Sequence, residues 1–278
     1  GGGAAGASCA ARLRRLDEKA QITIIEKTSE VSIANCGLPY YISGVINERE
    51  KILVSDPQKF RSWFNIEVEL NTEIAEINRD EKFVLTTDNR KFEYDYLVLA
   101  TGAAPIVPPF EGLDRSRTFV VRSLDDADRI KGFIKDNKAK NAVIVGGGFI
   151  GIEVAENLVE LGINTTLVEL NNQILAQVDP EIALIAYNHS VEKGINFILS
   201  DGVKNFREGK VVLNSGNEID YDICILSIGV KPETALAVKA GLDINRGIVV
   251  DDHLRTSDGS IYAAGDNIEI IDFVTGHT

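Results

Sequence analysis

Two glycine-rich turns, each feeding a helix and then a strand that ends on a glutamate, limit what this chain can fold into. The first is Gly1-x-Gly3-x-x-Gly6, with Glu26 twenty residues past Gly6; the second is Gly146-x-Gly148-x-x-Gly151, with Glu169 eighteen residues past Gly151. In such a turn the first glycine permits a tight bend and the second lets a pyrophosphate approach the backbone. The third allows helix and strand to pack closely, and the helix N-terminus faces the phosphates. The acid at the next strand end accepts from ribose hydroxyls and repels a 2′-phosphate, so Glu169 favours NADH over NADPH. A ligand-free glycine turn is the plainer alternative. The full strand-turn-helix-strand-acid context of the second turn weighs against it.

The rest of the chain follows the same plan twice. A helix is expected over 4–15 and a strand over 22–25, and Asp56-Pro57 opens a further helix. Residues 66–99 are strand-rich, with Asp88-Asn89 as a turn. A buried-type strand over 96–99 ends at Ala100-Thr101-Gly102, and Pro105, Pro108 and Pro109 mark a linker. Then come an amphipathic helix over 124–135, a strand over 142–145, a helix to about 161 and a strand over 165–168. A buried run over 221–228 ends at Gly229, and the tail Ser260-Ile261-Tyr262-Ala263-Ala264-Gly265-Asp266 suits a return to the first domain. Its glycine lets Asp266 approach the ribityl and phosphate groups of a flavin; an ordinary turn aspartate is the alternative. Read with that tail, the first turn is the adenine half of a FAD site. The expected fold is α/β, two Rossmann-like nucleotide-binding domains with the second inserted in the first. Residues 1–106 are the first FAD-binding segment, 107–235 the NAD(P)H-binding domain and 236–278 the returning FAD-binding segment.

The length of 278 residues suits two domains of about 150 each. With 42 acidic and 29 basic residues the net charge is -13, which repels nucleic acid and acidic membranes overall. No apolar run nears the roughly 20 residues of a membrane span, and no signal peptide is visible. Three cysteines without CxxC or CxxxxC spacing do not make a disulfide framework and fit a reducing cytoplasm. His189, His253 and His277 are scattered far from those cysteines, so no metal site is expected. The chain has no methionine, and both ends read as cut.

A lone cysteine is usually a small packing residue, and Cys9 on a helix and Cys224 in mid-strand read that way. Cys36 differs. It lies in Ser32-Ile33-Ala34-Asn35-Cys36-Gly37-Leu38-Pro39-Tyr40-Tyr41, shortly after the strand that ends at Glu26. A thiolate there is stabilised by the first amides of a following helix and by oxidised flavin. One cysteine suffices for disulfide reduction when the substrate supplies the other sulfur.

These features together resemble the FAD-dependent pyridine nucleotide-disulfide oxidoreductases. The cysteine segment and the tail Asp272-Phe273-Val274-Thr275-Gly276 resemble the coenzyme A-disulfide reductase and CoA-persulfide reductase subgroup. The resemblance implies that hydride passes from NADH to flavin N5, and that the reduced flavin then reduces a mixed disulfide between Cys36 and coenzyme A. It places Phe149 over the flavin, Glu153 near the nicotinamide and Lys27 close to the FAD. It puts Ser8, Arg12, Arg15, Ser32 and Asn35 against coenzyme A. Arg12 and Arg15 lie three apart on a helix and share a face, where a solvated surface is the alternative role. Two departures stand out. Ile33 replaces the usual phenylalanine, and the C-terminal dimerisation domain, through which the parent would form a homodimer, is absent.

Two other functions compete. NADH oxidases and peroxidases that use a cysteine sulfenic acid carry a histidine inside the first turn, where this chain has Ala4. Peroxide chemistry would lack that proton donor. The third reading is a non-catalytic nucleotide-binding or redox-sensing fragment.

Overall fold

The computed structural model describes residues 1–272 and 274–276. Phe273, within the tail that supports the resemblance, and His277 lie outside the described residues. The chain divides into two compact units. The first comprises Gly1–Ile33, Leu53–Ala104 and Lys231–Thr278; the second comprises Ala34–Ile52 and Pro105–Val230.

In the first unit, helix α1 (Ala4–Leu16) buries Ala7 and Ala10 against a core of Ile24, Val31, Phe60 and Ile66. These small side chains let the helix lie close to the strand Thr23–Ile25, which pairs in parallel with Glu67–Glu69. The helix Pro57–Phe64 starts as expected: Asp56 caps it by accepting from Lys59 N at 2.8 Å, and proline fills the first turn. Ile74–Asn78, Phe83–Thr86 and Lys91–Glu93 form an antiparallel meander, with Asn89 in the left-handed region at φ 64. Leu97–Leu99 pairs in parallel with Ile261–Ala263. The last segment therefore returns to the first unit, as the tail sequence implies.

The second unit is built on a parallel five-stranded sheet. Its order is Asn196–Ile198, Asn164–Val168, Asn141–Val145, Ile223–Leu226, Thr118–Phe119. All four residues of Ile223–Leu226 and residues 142–145 are buried, as central parallel strands covered on both faces require. A second antiparallel meander, Val203–Arg207, Lys210–Leu213 and Glu218–Asp220, matches the one in the first unit. The fold is α/β and doubly Rossmann-like, with the second unit inserted in the first.

The segment 34–52 groups with the second unit, whereas the sequence reading kept it in 1–106. Burial explains the difference. Helix α2 (Leu38–Ser43) buries Leu38, Pro39, Tyr41 and Ile42. It packs on α3 (Leu124–Asn137) and α4 (Phe149–Glu160), both of the second unit. The linker boundary also falls two residues earlier than expected, after Ala104, and the return begins at Lys231.

Candidate functional site

Both glycine turns build the same local geometry. In the first, Gly2 N donates to Glu26 Oε2 at 2.7 Å, and Thr28 donates to Glu26 Oε1 from its N at 2.9 Å and its hydroxyl at 2.8 Å. In the second, Gly147 N donates to Glu169 Oε2 at 2.6 Å. Asn171 donates to Glu169 Oε1 from its N and its Nδ2, both at 2.8 Å. Each acid is thus held against its own turn, with lone pairs left for further donors. Burial pushes the Glu26 carboxyl up, but the hydrogen bonds from Gly2 and Thr28 outweigh it and leave it below the ordinary glutamate value.

The glycines divide by role. A Cβ at Gly1 would collide with Ala100 O, one at Gly6 with Gly1 O, and one at Gly151 with Gly146 O. Gly146 sits at φ 106 with Ser227 O only 2.5 Å from where a Cβ would stand. The protein itself demands glycine at these positions. A Cβ at Gly3 or Gly148 meets nothing within 4 Å. Each of the two is the N-cap of a long helix, with no side chain capping it. The open space at the middle glycine, backed by uncapped helix amides, fits a pyrophosphate.

Around the second turn the structure forms a cavity of about 660 Å³. Gly148, Phe149, Glu169, Asn171, Ser227 and Gly229 are among its lining residues. Phe149 is 54% exposed at the start of α4. Glu153, one turn along, is half-buried; burial pushes its carboxyl up, and the charge of Glu156 adds to the effect. Gly229 has φ 110 and its carbonyl accepts from Ile106 N at 3.0 Å.

In the first unit the loop after Leu97–Leu99 and the loop after Ile261–Ala263 run side by side. Ala264 N donates to Leu99 O at 3.0 Å. Gly265, at φ 91, approaches Ala5 so closely that an added Cβ would stand 2.9 Å from the alanine Cβ. These contacts bring Gly1, Gly6, Thr101, Gly102 and Asp266 into one region. Asp266 and Lys27 are exposed and have no hydrogen-bond partner among the described residues. The Thr101 hydroxyl donates to Glu233 O at 2.6 Å, and Gly102 turns at φ 69.

Ser8, Arg12 and Arg15 form one exposed stripe on α1. Arg15 Nε turns back to Ala11 O at 3.3 Å, while Arg12 has no partner among the described residues. Ser32 adopts φ 54, its N bonded to Gly2 O and its O accepting from Val54 N, both at 2.8 Å. Asn35 and Cys36 are exposed in the second unit, on the short 3-10 turn Asn35–Gly37 that leads into α2. Cys224 is fully buried in the central strand, and burial pushes its thiol far up; Cys9 is partly buried and pushed up for the same reason.

Sequence reasoning missed several residues that shape these sites. Asn267 is fully buried and ties Leu99 O at 2.9 Å to the Thr101 hydroxyl at 3.0 Å. The Ser227 hydroxyl donates towards Val145 O and Gly146 O, both at 3.0 Å. Thr28 and Asn171 each stand two residues past their acid, a shared spacing that comparing the two turns would have revealed. Arg14 makes five hydrogen bonds, to the carbonyls of Phe64, Asp17, Glu18, Ala20 and Asn65. Among the described residues no cluster of His, Cys, Asp or Glu could hold a metal ion, and no helix is long and apolar enough to cross a membrane.

Known proteins are similar to this chain along nearly its whole length. An NADH oxidase of Methanocaldococcus jannaschii is 35% identical, over 99% of this chain and 64% of its own length. A coenzyme A disulfide reductase of Staphylococcus haemolyticus is 34% identical, over 95% of this chain and 61% of its own. The solved structure of reduced CoADR-RHD from Bacillus anthracis superposes with a TM-score of 0.96 at 44% identity, covering 99% of this chain and 51% of that one. The chain thus spans between half and two thirds of the length of these relatives. The family model for pyridine nucleotide-disulphide oxidoreductases matches residues 1–276, and the chain belongs to that family.

Proposed function

We propose that the protein passes electrons from NADH to the disulfide or persulfide of a coenzyme A thiol, with Cys36 as the redox thiol. Family membership implies FAD and NAD(P)H. The observation that carries the reading is the twofold glycine-turn geometry, which offers two dinucleotide sites in a chain whose one exposed cysteine is Cys36. FAD, when bound, supplies the two-electron relay between nicotinamide and sulfur. Gly1, Gly3, Gly6, Glu26, Lys27, Thr101, Gly102 and Asp266 would hold it, and Gly146, Gly148, Gly151, Glu169 and Gly229 would hold the nicotinamide nucleotide. Phe149 and Glu153 would border the nicotinamide. Ser8, Arg12, Arg15, Ser32 and Asn35 would bind the coenzyme A moiety.

The Cys36 thiolate attacks one sulfur of the substrate disulfide, a mixed disulfide forms as the S–S bond breaks, and the other sulfur leaves as a thiolate that takes up a proton to become a thiol. Two electrons and a proton then cleave the mixed disulfide, releasing the second thiol and restoring the Cys36 thiolate. Per turnover, one NADH and one proton become NAD⁺ while one disulfide becomes two thiols. Glu169, held by three donors, meets an adenosine ribose diol and opposes a phosphate there, so NADH is the preferred reductant.

The test is thiol release from coenzyme A disulfide by the FAD-loaded full-length protein. Cys36→Ser should keep FAD, keep its reduction by NADH and lose turnover; near-normal turnover in that variant would falsify the role of Cys36. Equal kcat/KM for NADH and NADPH would end the preference assigned to Glu169. The similarity to an NADH oxidase favours a second reading, oxygen or peroxide reduction. NADH-dependent oxygen uptake that exceeds disulfide reduction would establish it, against the expectation set by Ala4.

A further inference from the structure

The segment that carries Cys36 is bolted to the second unit at two points. On one side the Ser43 hydroxyl donates to Asn157 Oδ1 at 2.5 Å. Asn157 is 2% exposed in the middle of α4, and its Nδ2 reaches back one turn to Glu153 O at 2.8 Å. A buried amide in a helix otherwise packed with Val154, Ala155 and Leu158 is costly unless it is bonded, and Ser43 supplies the bond. On the other side the Tyr41 hydroxyl donates to Asp128 Oδ1 at 2.7 Å, and Arg49 Nε donates to Asp128 Oδ2 at 3.0 Å. The Lys131 ammonium lies 4.1 Å from the centre of the Tyr41 ring. Asp128 and Lys131 belong to α3, so Tyr41 and Arg49 are pinned to one helix and Ser43, between them in sequence, to another.

We infer that Asn157 and Asp128 are positioning residues for Cys36: they fix the thiol-bearing segment to α3 and α4, so that the second unit determines where the thiol stands. The inference rests on the reading of Cys36 as the redox thiol. Its mechanical half does not. α4 also begins with Phe149 and carries Glu153, so the helix that borders the proposed nicotinamide site is the one to which the thiol segment is fastened.

The experiment uses the FAD-loaded full-length protein with Ser43→Ala, Asp128→Ala, the double variant and Ser43→Thr. Hydrogen exchange of peptides within 34–52 should quicken by about tenfold in Ser43→Ala, the effect of one lost hydrogen bond to a buried amide, and by at least as much in Asp128→Ala, which loses the bonds from Tyr41 and Arg49. Peptides from 1–16 should not change. Ser43→Thr, which keeps the hydroxyl, should restore slow exchange. Reduction of the flavin by NADH should persist in the double variant, while the long-wave flavin-thiolate band and reduction of coenzyme A disulfide fall together. Unchanged exchange in 34–52 would overturn the fastening, and so would loss confined to 1–16. Faster exchange with a normal band and normal disulfide reduction would overturn the positioning role. If Cys36→Ser proves fully active, the reading of the thiol fails on its own, and the exchange result still decides the fastening.

Discussion

Replacing Gly148 or Gly151 by alanine separates what the fold needs from what a ligand needs. Gly148 has φ -76 and ψ -177, which alanine adopts freely, and its Cβ would touch nothing within 4 Å. Alanine at an N-cap costs a few tenths to about 1 kcal/mol relative to glycine. The stiffer unfolded chain returns about 0.4–1 kcal/mol. The net change is within about 0.5 kcal/mol, so Tm should move by no more than about 2 °C. At Gly151 the new methyl collides with Gly146 O and stands 2.7 Å from the Ser227 hydroxyl. Backbone must shift, at about 1–3 kcal/mol, or a fall in Tm of about 2–12 °C. Binding reverses the order of concern. A methyl at Gly148 fills the space where a pyrophosphate would meet the helix amides, and losing a hydrogen bond to a charged group costs about 1.5–3 kcal/mol. The Kd for NAD⁺, read by calorimetric titration, should rise about 10- to 150-fold while the melt stays in place. Unchanged NAD⁺ affinity in Gly148→Ala would show that the pyrophosphate does not run past this residue. A large drop in Tm in the same variant would show that the open space is not there.

Other expectations follow from the same geometry. Arg14→Ala removes five bonds to carbonyls and should destabilise the protein by about 2–4 kcal/mol, whereas Arg12→Ala, two positions away, should leave the melt unchanged and weaken only binding of a coenzyme A thiol. Thermal melts of the pair decide this, and equal losses of Tm would refute it. Glu26 has a depressed carboxyl, so its contribution to stability is present above the ordinary glutamate value of 4.5 and is lost as pH falls through the lower folded value. Glu26→Gln should therefore flatten the acid side of the stability curve below pH 4.5; an unaltered slope would count against the hydrogen bonds from Gly2 and Thr28. In the native protein a thiol reagent should label Cys36 quickly and Cys224 only on unfolding, as mass spectrometry of the labelled peptides would show.

What could be read from the sequence is what depends on neighbours along the chain. The glycine turns, the acids at strand ends, the capped helix after Asp56 and the hairpin turn at Asn89 are all local, and each carries a residue type that few other conformations need. The return of Ile261–Ala263 to Leu97–Leu99 was also legible, because Tyr262-Ala263-Ala264-Gly265-Asp266 does not continue the second unit's pattern. The attachment of 34–52 was not. Its bonds to Asp128 and Asn157 span 87 and 114 residues, and nothing in the order of Tyr41, Ser43 or Asn157 announces a partner that far away. Arg14 was passed over for a related reason: three arginine positions within four residues look alike until the carbonyls of Phe64 and Asn65 are brought up to one of them.

The central strand Ile223–Leu226 also sets the protein's exposure to oxidative damage. Cys224 is sealed between Thr118 and Val143 of the neighbouring strands, and burial pushes its thiol up, away from the thiolate form that peroxide attacks. The chain has no methionine to form sulfoxides, and Cys9 is partly covered. An oxidant in solution therefore meets its first accessible sulfur at Cys36. Inactivation by peroxide should then follow single-hit kinetics, in step with added oxygen on the peptide that contains residue 36. A reductant that reverses sulfenic acid should restore the protein fully if applied before the next oxygen arrives, because no second lesion has accumulated elsewhere.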